Sequence, residues 1–198
     1  MTEKKKSKET KSEKIILTTI YQIIETETLS EEKYTDILII LKGALTNTNT
    51  NLNLNLVLNI YTLLIKNIPN SQKTNNLLFI NFYTLFNYIV EKHKIKNSYI
   101  RKYLLIIEYY LMKNIDTILK EQIELILYII QEFINKKSTP FYFQYGFLYL
   151  KLYDFIISKK LIPNFKKELH HTKECILSIC PETSQGKELK ELILSKTF

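Results

Sequence analysis

From Ile15 onward, apolar residues recur every three or four positions rather than every second one, the spacing of helices with one buried face. Ile16, Ile20, Ile23 and Ile24 predict one stripe of a first helix. Ser30 offers an N-cap, and Glu31 and Glu32 fall where a helix N-terminus favours negative charge. Tyr34, Ile37, Leu38 and Leu41 then predict the buried face of a second helix that fades near residues 43–46. The stretch TNTNTNLNLNLVLN alternates Leu and Asn over residues 52–58, formally a strand pattern. A lone strand in a helical chain would leave its backbone groups unpaired. Residues 46–51 are therefore expected as a loop and 52–68 as a helix.

Pro69 closes that helix, and Asn70 or Ser71 caps the next, expected to run to about Lys92. The segment IKNSYIRKYLLIIEYYL, residues 95–111, changes character halfway. Its first half is polar and basic. In its second half Leu104, Leu105, Ile106, Ile107, Tyr109, Tyr110 and Leu111 cover nearly the full circumference, as a helix sandwiched between neighbours requires. Lys94, Arg101 and Glu108, about two turns apart, leave one narrow solvent stripe. Asn114 is expected to cap a helix with the stripe Leu119, Ile123, Ile126, Leu127, Ile130 and Ile134.

Thr139-Pro140 marks another start, a capping residue followed by Pro at the first helical position. The helix expected over residues 141–159 buries Phe141, Tyr145, Leu148, Leu152 and Phe155. Tyr142, Tyr149 and Tyr153 lie off that stripe, to be covered by a neighbouring helix or left as a partner-binding patch. Pro163 and Pro181 bound two shorter helices. Eight or nine helices with short connections predict an all-α fold of stacked antiparallel helices, a HEAT-like α-solenoid, with a globular bundle as the alternative. Only three glycines and four prolines punctuate the chain, in keeping with long helices. Residues 1–13 lack an apolar face and are expected as a disordered basic tail, with 14–198 as a single helical domain. Within the tail, Lys4, Lys5, Lys6 and Lys8 read equally as a nuclear import signal or a solubilising segment.

The net charge of +8 directs attention to acidic partners such as nucleic acid. Its weight is reduced because Lys, Ile and Asn crowd the chain while Arg101 is the only arginine, as an AT-rich coding sequence would produce. Residues 43–65 carry no charge and are long enough to span a bilayer, but repeated asparagines make insertion costly, and no membrane association is expected.

Site chemistry is sparse. No P-loop and no glycine-flanked serine nucleophile occurs. Cys175 and Cys180 are too few for a disulfide framework and read as buried free thiols. His171 and Cys175 share a helix face, but a structural metal site wants four ligands, so no metal or other cofactor is expected. Glu121, Glu124 and Glu132 read as a solvated helix face, and neither enzyme activity nor a small-molecule substrate is expected.

Two basic clusters remain. Lys92, His93, Lys94, Lys96, Arg101 and Lys102 surround the start of the 95–111 segment, with Tyr99 among them offering a ring for base stacking. Lys159, Lys160, Lys166 and Lys167 surround Pro163. An RNA-facing edge and an ordinary solvated edge would read alike at this level.

The stretch IKNSYIRKYLLII resembles the signature of the nucleolar ribosomal RNA processing protein 1 family, an Ile-Asp-Arg segment followed by Leu-Asp-Lys-Phe-Tyr and an aliphatic run. Ile95, Ile100, Lys102 and Tyr103 take its Ile, Leu, Lys and aromatic positions. LKGAL, residues 41–45, is similar to the family's Trp-Lys-Gly-Leu segment at Lys42 and Gly43. The chain departs from the pattern in having no tryptophan, and in placing Lys96 and Arg101 where the family has acidic residues. The resemblance, over roughly residues 33–162, implies a non-catalytic scaffold in ribosome biogenesis. It implies preribosomal proteins and rRNA as partners, and the nucleus and nucleolus as location. The alternative is a HEAT-like adaptor for a protein partner with no RNA role. The residues expected to bind RNA or a partner are Lys92, Lys94, Lys96, Tyr99, Arg101 and Lys102.

Overall fold

The computed structural model describes residues 11–47, 52–69, 71–92, 96–136 and 139–197. Among them the fold is all-α, with no strand. The helices are α1 (Lys11–Thr26), α2 (Glu31–Thr46), α3 (Leu54–Lys66), α4 (Gln72–Lys92), α5 (Asn97–Asn114), α6 (Lys120–Asn135), α7 (Tyr142–Ser158), α8 (Ile162–Ile179) and α9 (Ser184–Leu194). Short 3₁₀ turns, Ile115–Thr117 and Thr139–Phe141, precede α6 and α7. The chain divides into two compact units, Met1–Ile106 and Ile107–Phe198.

In the first unit α1 packs on α3 and α2 on α4. Local chemistry sets the helix starts. Ser30 Oγ accepts the Lys33 N–H, and Asn53 Oδ1 accepts the Leu56 N–H, each at 3.3 Å, satisfying donors that a helix N-terminus otherwise leaves open. The Leu-Asn alternation is thus helical from Leu54, and residues 48–51 of the expected loop lie outside the described residues. Glu31 joins α2 to the start of α4 by accepting the hydroxyls of Ser71 at 2.5 Å and Thr74 at 3.1 Å. These bonds hold its carboxyl below the usual range.

Buried tyrosines tie successive helices of this unit. Tyr34 Oη donates to Leu64 O at 2.9 Å, Tyr61 Oη to Asn81 Oδ1 at 2.8 Å and Tyr103 Oη to Phe82 O at 2.9 Å. Tyr88 Oη accepts the Leu52 N–H at 2.9 Å. Each phenol brings a large apolar ring into the core and still satisfies its hydroxyl there.

In the second unit α8 packs on α6 and α7, and α9 packs on α7. Gln131 Nε2 donates to Thr172 Oγ1 at 2.7 Å between α6 and α8. The segment after α9 is fastened to α7 and α8: Tyr153 donates to the Thr197 carbonyl, Lys196 pairs with Asp154 at 2.8 Å, and Lys173 donates to Lys196 O at 2.8 Å. Gly186 is required at the start of α9, because a Cβ there would lie 2.0 Å from Pro181 O.

Several expectations are corrected. α1 already includes Lys11, Ser12 and Glu13, and its buried stripe is Leu17, Ile20 and Ile24, with Ile16 exposed. Asn114 closes α5 by donating from Nδ2 to Tyr110 O at 3.0 Å. α6 instead begins where Gln122 Oε1 accepts the Leu119 N–H at 3.1 Å, with Leu119 itself partly exposed. α8 is not short but spans 18 residues. On α5, Leu104, Ile106, Ile107, Tyr110 and Leu111 are buried as expected, yet Leu105, Tyr109 and Met112 form an exposed line continuing from Arg101. The apolar circumference is therefore covered on one side only. On α7, Tyr149 and Tyr153 are buried, which is the covered alternative of the two expected, with α8 and α9 both packed on that helix.

Candidate functional site

The basic head lies where α5 begins. Lys96 O accepts the Tyr99 N–H at 2.9 Å and the Ile100 N–H at 3.2 Å at the start of the helix. The Lys96 ammonium sits 5.7 Å from the centre of the Tyr99 ring, a cation–π arrangement that ties two candidate residues together. Arg101, one turn on, is exposed and has no ion pair among the described residues. The first turn of α5 contains no acidic residue.

Lys102 behaves differently from its neighbours. It is half-buried, and its ammonium donates to Asn55 Oδ1 at 3.4 Å and Asn59 Oδ1 at 3.2 Å, two amides one turn apart on α3. The asparagines of the alternating stretch thus hold a lysine that sequence reasoning had assigned to the basic edge. Two amide dipoles orient a cation without neutralising it. Lys94, His93 and the side chain of Lys92 lie outside the described residues, as do Lys4, Lys5, Lys6 and Lys8.

The residues carrying the family resemblance divide by role. Ile100 and Tyr103 are buried, with Tyr103 bonded to Phe82 O, while Lys102 is the tethered cation. Gly43 stands exposed on α2, and among the described residues nothing beyond its chain neighbours and its own helix backbone comes within 4 Å of the position a Cβ would take.

The second basic cluster has a local structural explanation. Lys159 and Lys160 follow the C-terminus of α7, where a helix dipole favours positive charge. Lys160 takes the left-handed conformation, φ 57°, that reverses the chain, and its N–H bonds Ile157 O at 3.0 Å. The Lys159 ammonium lies 5.7 Å from the Phe155 ring centre. Lys166 and Lys167 are exposed on α8.

His171 Nε2 and Cys175 Sγ are 3.9 Å apart, but no group of three or more His, Cys, Asp or Glu residues suited to a metal ion occurs among the described residues. Burial, and then Glu174, push the Cys175 thiol above its ordinary value. Burial does the same at Cys180, offset in part by Lys190. Both thiols are thereby biased toward the protonated, less reactive form. No helix among the described residues is long and apolar enough to cross a membrane.

The second unit carries an open apolar groove of about 400 Å³ between α7 and α9, walled by Phe143, Phe147 and Leu150 against Leu189 and Leu192. Phe147 also lines a smaller hollow of about 180 Å³ with Leu111, Met112 and Ile115. Helices α7 and α9 come close because α7 has Gly146 at their contact. A Cβ there would lie 2.8 Å from the Leu189 side chain. The aromatic excess of residues 140–155 leaves open whether a neighbouring helix covers it or a partner-binding patch remains, and Tyr149 and Tyr153 are covered. The aromatic residues that line the open groove are Phe143 and Phe147.

Comparison with known proteins finds no family model, curated protein or solved structure that matches this chain.

Proposed function

We propose that this protein is a non-catalytic helical scaffold of ribosome biogenesis, acting in the nucleus and nucleolus on preribosomal proteins and rRNA. In this reading the N-terminal end of α5 meets RNA phosphates. The observation that carries it is the exposed guanidinium of Arg101, with no ion pair among the described residues, in the opening turns of a helix that also carries the Lys96–Tyr99 pair and has no acidic residue in its first turn. An RNA strand reaching this helix end would meet the Lys96 cation, the positive end of the helix dipole and the Tyr99 ring, with Arg101 offering a second cation on another side of the helix. Lys102, held by Asn55 and Asn59, adds a positioned charge at the margin. The resemblance at Ile100, Lys102 and Tyr103 supplies the ribosomal context.

The test is RNA binding measured against salt. Replacing Lys92, Lys94, Lys96, Arg101 and Lys102 with Gln should leave the helical content unchanged, weaken binding and flatten its salt dependence. Each lost phosphate contact should lower the log–log slope by about 0.7 to 0.9. The control replaces Lys4, Lys5, Lys6 and Lys8 with Gln, separating a tail contribution from a site on the fold. Unchanged affinity and slope in the protein carrying both sets of changes would remove the RNA role. The protein-adaptor reading, favoured by the exposed groove between α7 and α9, would then stand in its place.

A further inference from the structure

The groove between α7 and α9 is an uncovered apolar feature of the second unit whose walls are set by helix geometry. Phe143, Phe147 and Leu150 recur at i, i+4 and i+7 on α7, so they form one row about two turns long. Leu189 and Leu192 form the facing row on α9. Phe143 is 54% exposed and Leu192 49%, so the row ends open to solvent. Met112, 64% exposed, continues the apolar surface beyond Phe147 through the smaller hollow. Two parallel rows at helical spacing are the template that an amphipathic helix fills by seating its own i, i+3/i+4, i+7 stripe.

The charges around the groove select the occupant. Glu188 borders the main groove and Glu108 the smaller hollow, and neither has an ion pair among the described residues. Among the described residues Lys151 is the one cation lining either space, and its ammonium lies 5.5 Å from the centre of the Phe147 ring. The surface is therefore apolar with two carboxylates against one lysine among its described lining residues, on a chain whose net charge is +8. A second copy docked face to face would bring the same carboxylates together and add the repulsion of two cationic chains.

We infer that this groove binds a basic amphipathic helix of a partner protein, its apolar stripe seated between Phe143/Phe147 and Leu189/Leu192 and its cations facing Glu188 and Glu108. The surface rests on the scaffold reading but not on its RNA contact, and peptide and RNA titrations fail independently.

The chain contains no tryptophan, so a peptide with a single Trp reports its own burial without background. The probe is an amphipathic Leu/Lys peptide of about four turns, roughly 14 residues, with one Trp on its apolar face, added to the full-length protein. The Trp emission should shift to the blue on binding, and the equivalent Leu/Glu peptide should bind at least about tenfold more weakly. Phe143→Ser with Leu192→Ser, both at half-exposed positions, should weaken the Leu/Lys peptide by about tenfold or more while leaving the circular dichroism spectrum unchanged. Glu108→Gln with Glu188→Gln should shrink the preference for the Leu/Lys peptide. A photoreactive leucine in the peptide should cross-link the unmodified protein on α7 and α9, a readout that does not depend on any variant folding. Tighter binding of the Leu/Glu peptide, cross-links confined to other helices, or a dimer that Leu192→Ser dissociates would each overturn the proposal.

Discussion

Tyr61 Oη donates to Asn81 Oδ1 at 2.8 Å, with both side chains fully buried. Asn81 in turn donates from Nδ2 to Leu77 O at 3.0 Å, so its amide is satisfied on both sides without water. The bond joins α3 to α4 and shows how this tyrosine-rich core accommodates polar atoms. Tyr61→Phe keeps the ring but strands the Asn81 oxygen, and is expected to cost about 1–3 kcal/mol in urea unfolding. Adding Asn81→Leu should recover part of that loss. A double variant less stable than the sum of the single ones would locate the strain elsewhere.

Burial pushes the phenols of Tyr61 and Tyr103 well above their ordinary value of 10.0, with Tyr34 and Tyr61 as smaller contributors. A group whose folded pKa is raised contributes stability that is complete below the unfolded pKa and is lost as pH rises through the interval up to the folded one. Stability should therefore fall as pH climbs past about 10. Tyrosinate absorbance should rise together with the loss of helical circular dichroism. Ionisation of all the tyrosines before any helix is lost would contradict the buried network.

Gly186 and Gly43 make opposite predictions for the same substitution. Gly186→Ala drives a methyl group against Pro181 O and should destabilise the protein by about 1–3 kcal/mol, the range for overpacking. Gly43→Ala enters open space within helical α2 and should stabilise it by about 0.5–1 kcal/mol. Melting temperatures of the two variants should move in opposite directions.

Ile107 and Met112 test which side of α5 is covered. Ile107 is 1% exposed and Met112 64%. Ile107→Ala should cost about 2–5 kcal/mol. Met112→Ala should change stability by no more than about 0.5 kcal/mol. Equal losses at the two positions would mean that both faces of the helix are packed.

The sequence by itself determined the helices, most of their ends and many of their buried faces. Ser30 is legible as a cap, and Tyr34, Ile37, Leu38 and Leu41 as a core stripe, because both signals lie within a few residues of one another. The tertiary structure decided which apolar residues stay uncovered and what the polar ones hold. Tyr149 and Tyr153 are buried because more than one helix packs on α7, while Leu105, Tyr109 and Met112 are open although their local pattern is as apolar as that of Ile107. Lys102 reads as one more surface cation until α3 brings Asn55 and Asn59 to its ammonium from more than forty positions away. Periodicity fixes the phase of a helix about its own axis. The extent of its coverage, and the partner of each charge, depend on which distant helices pack against it.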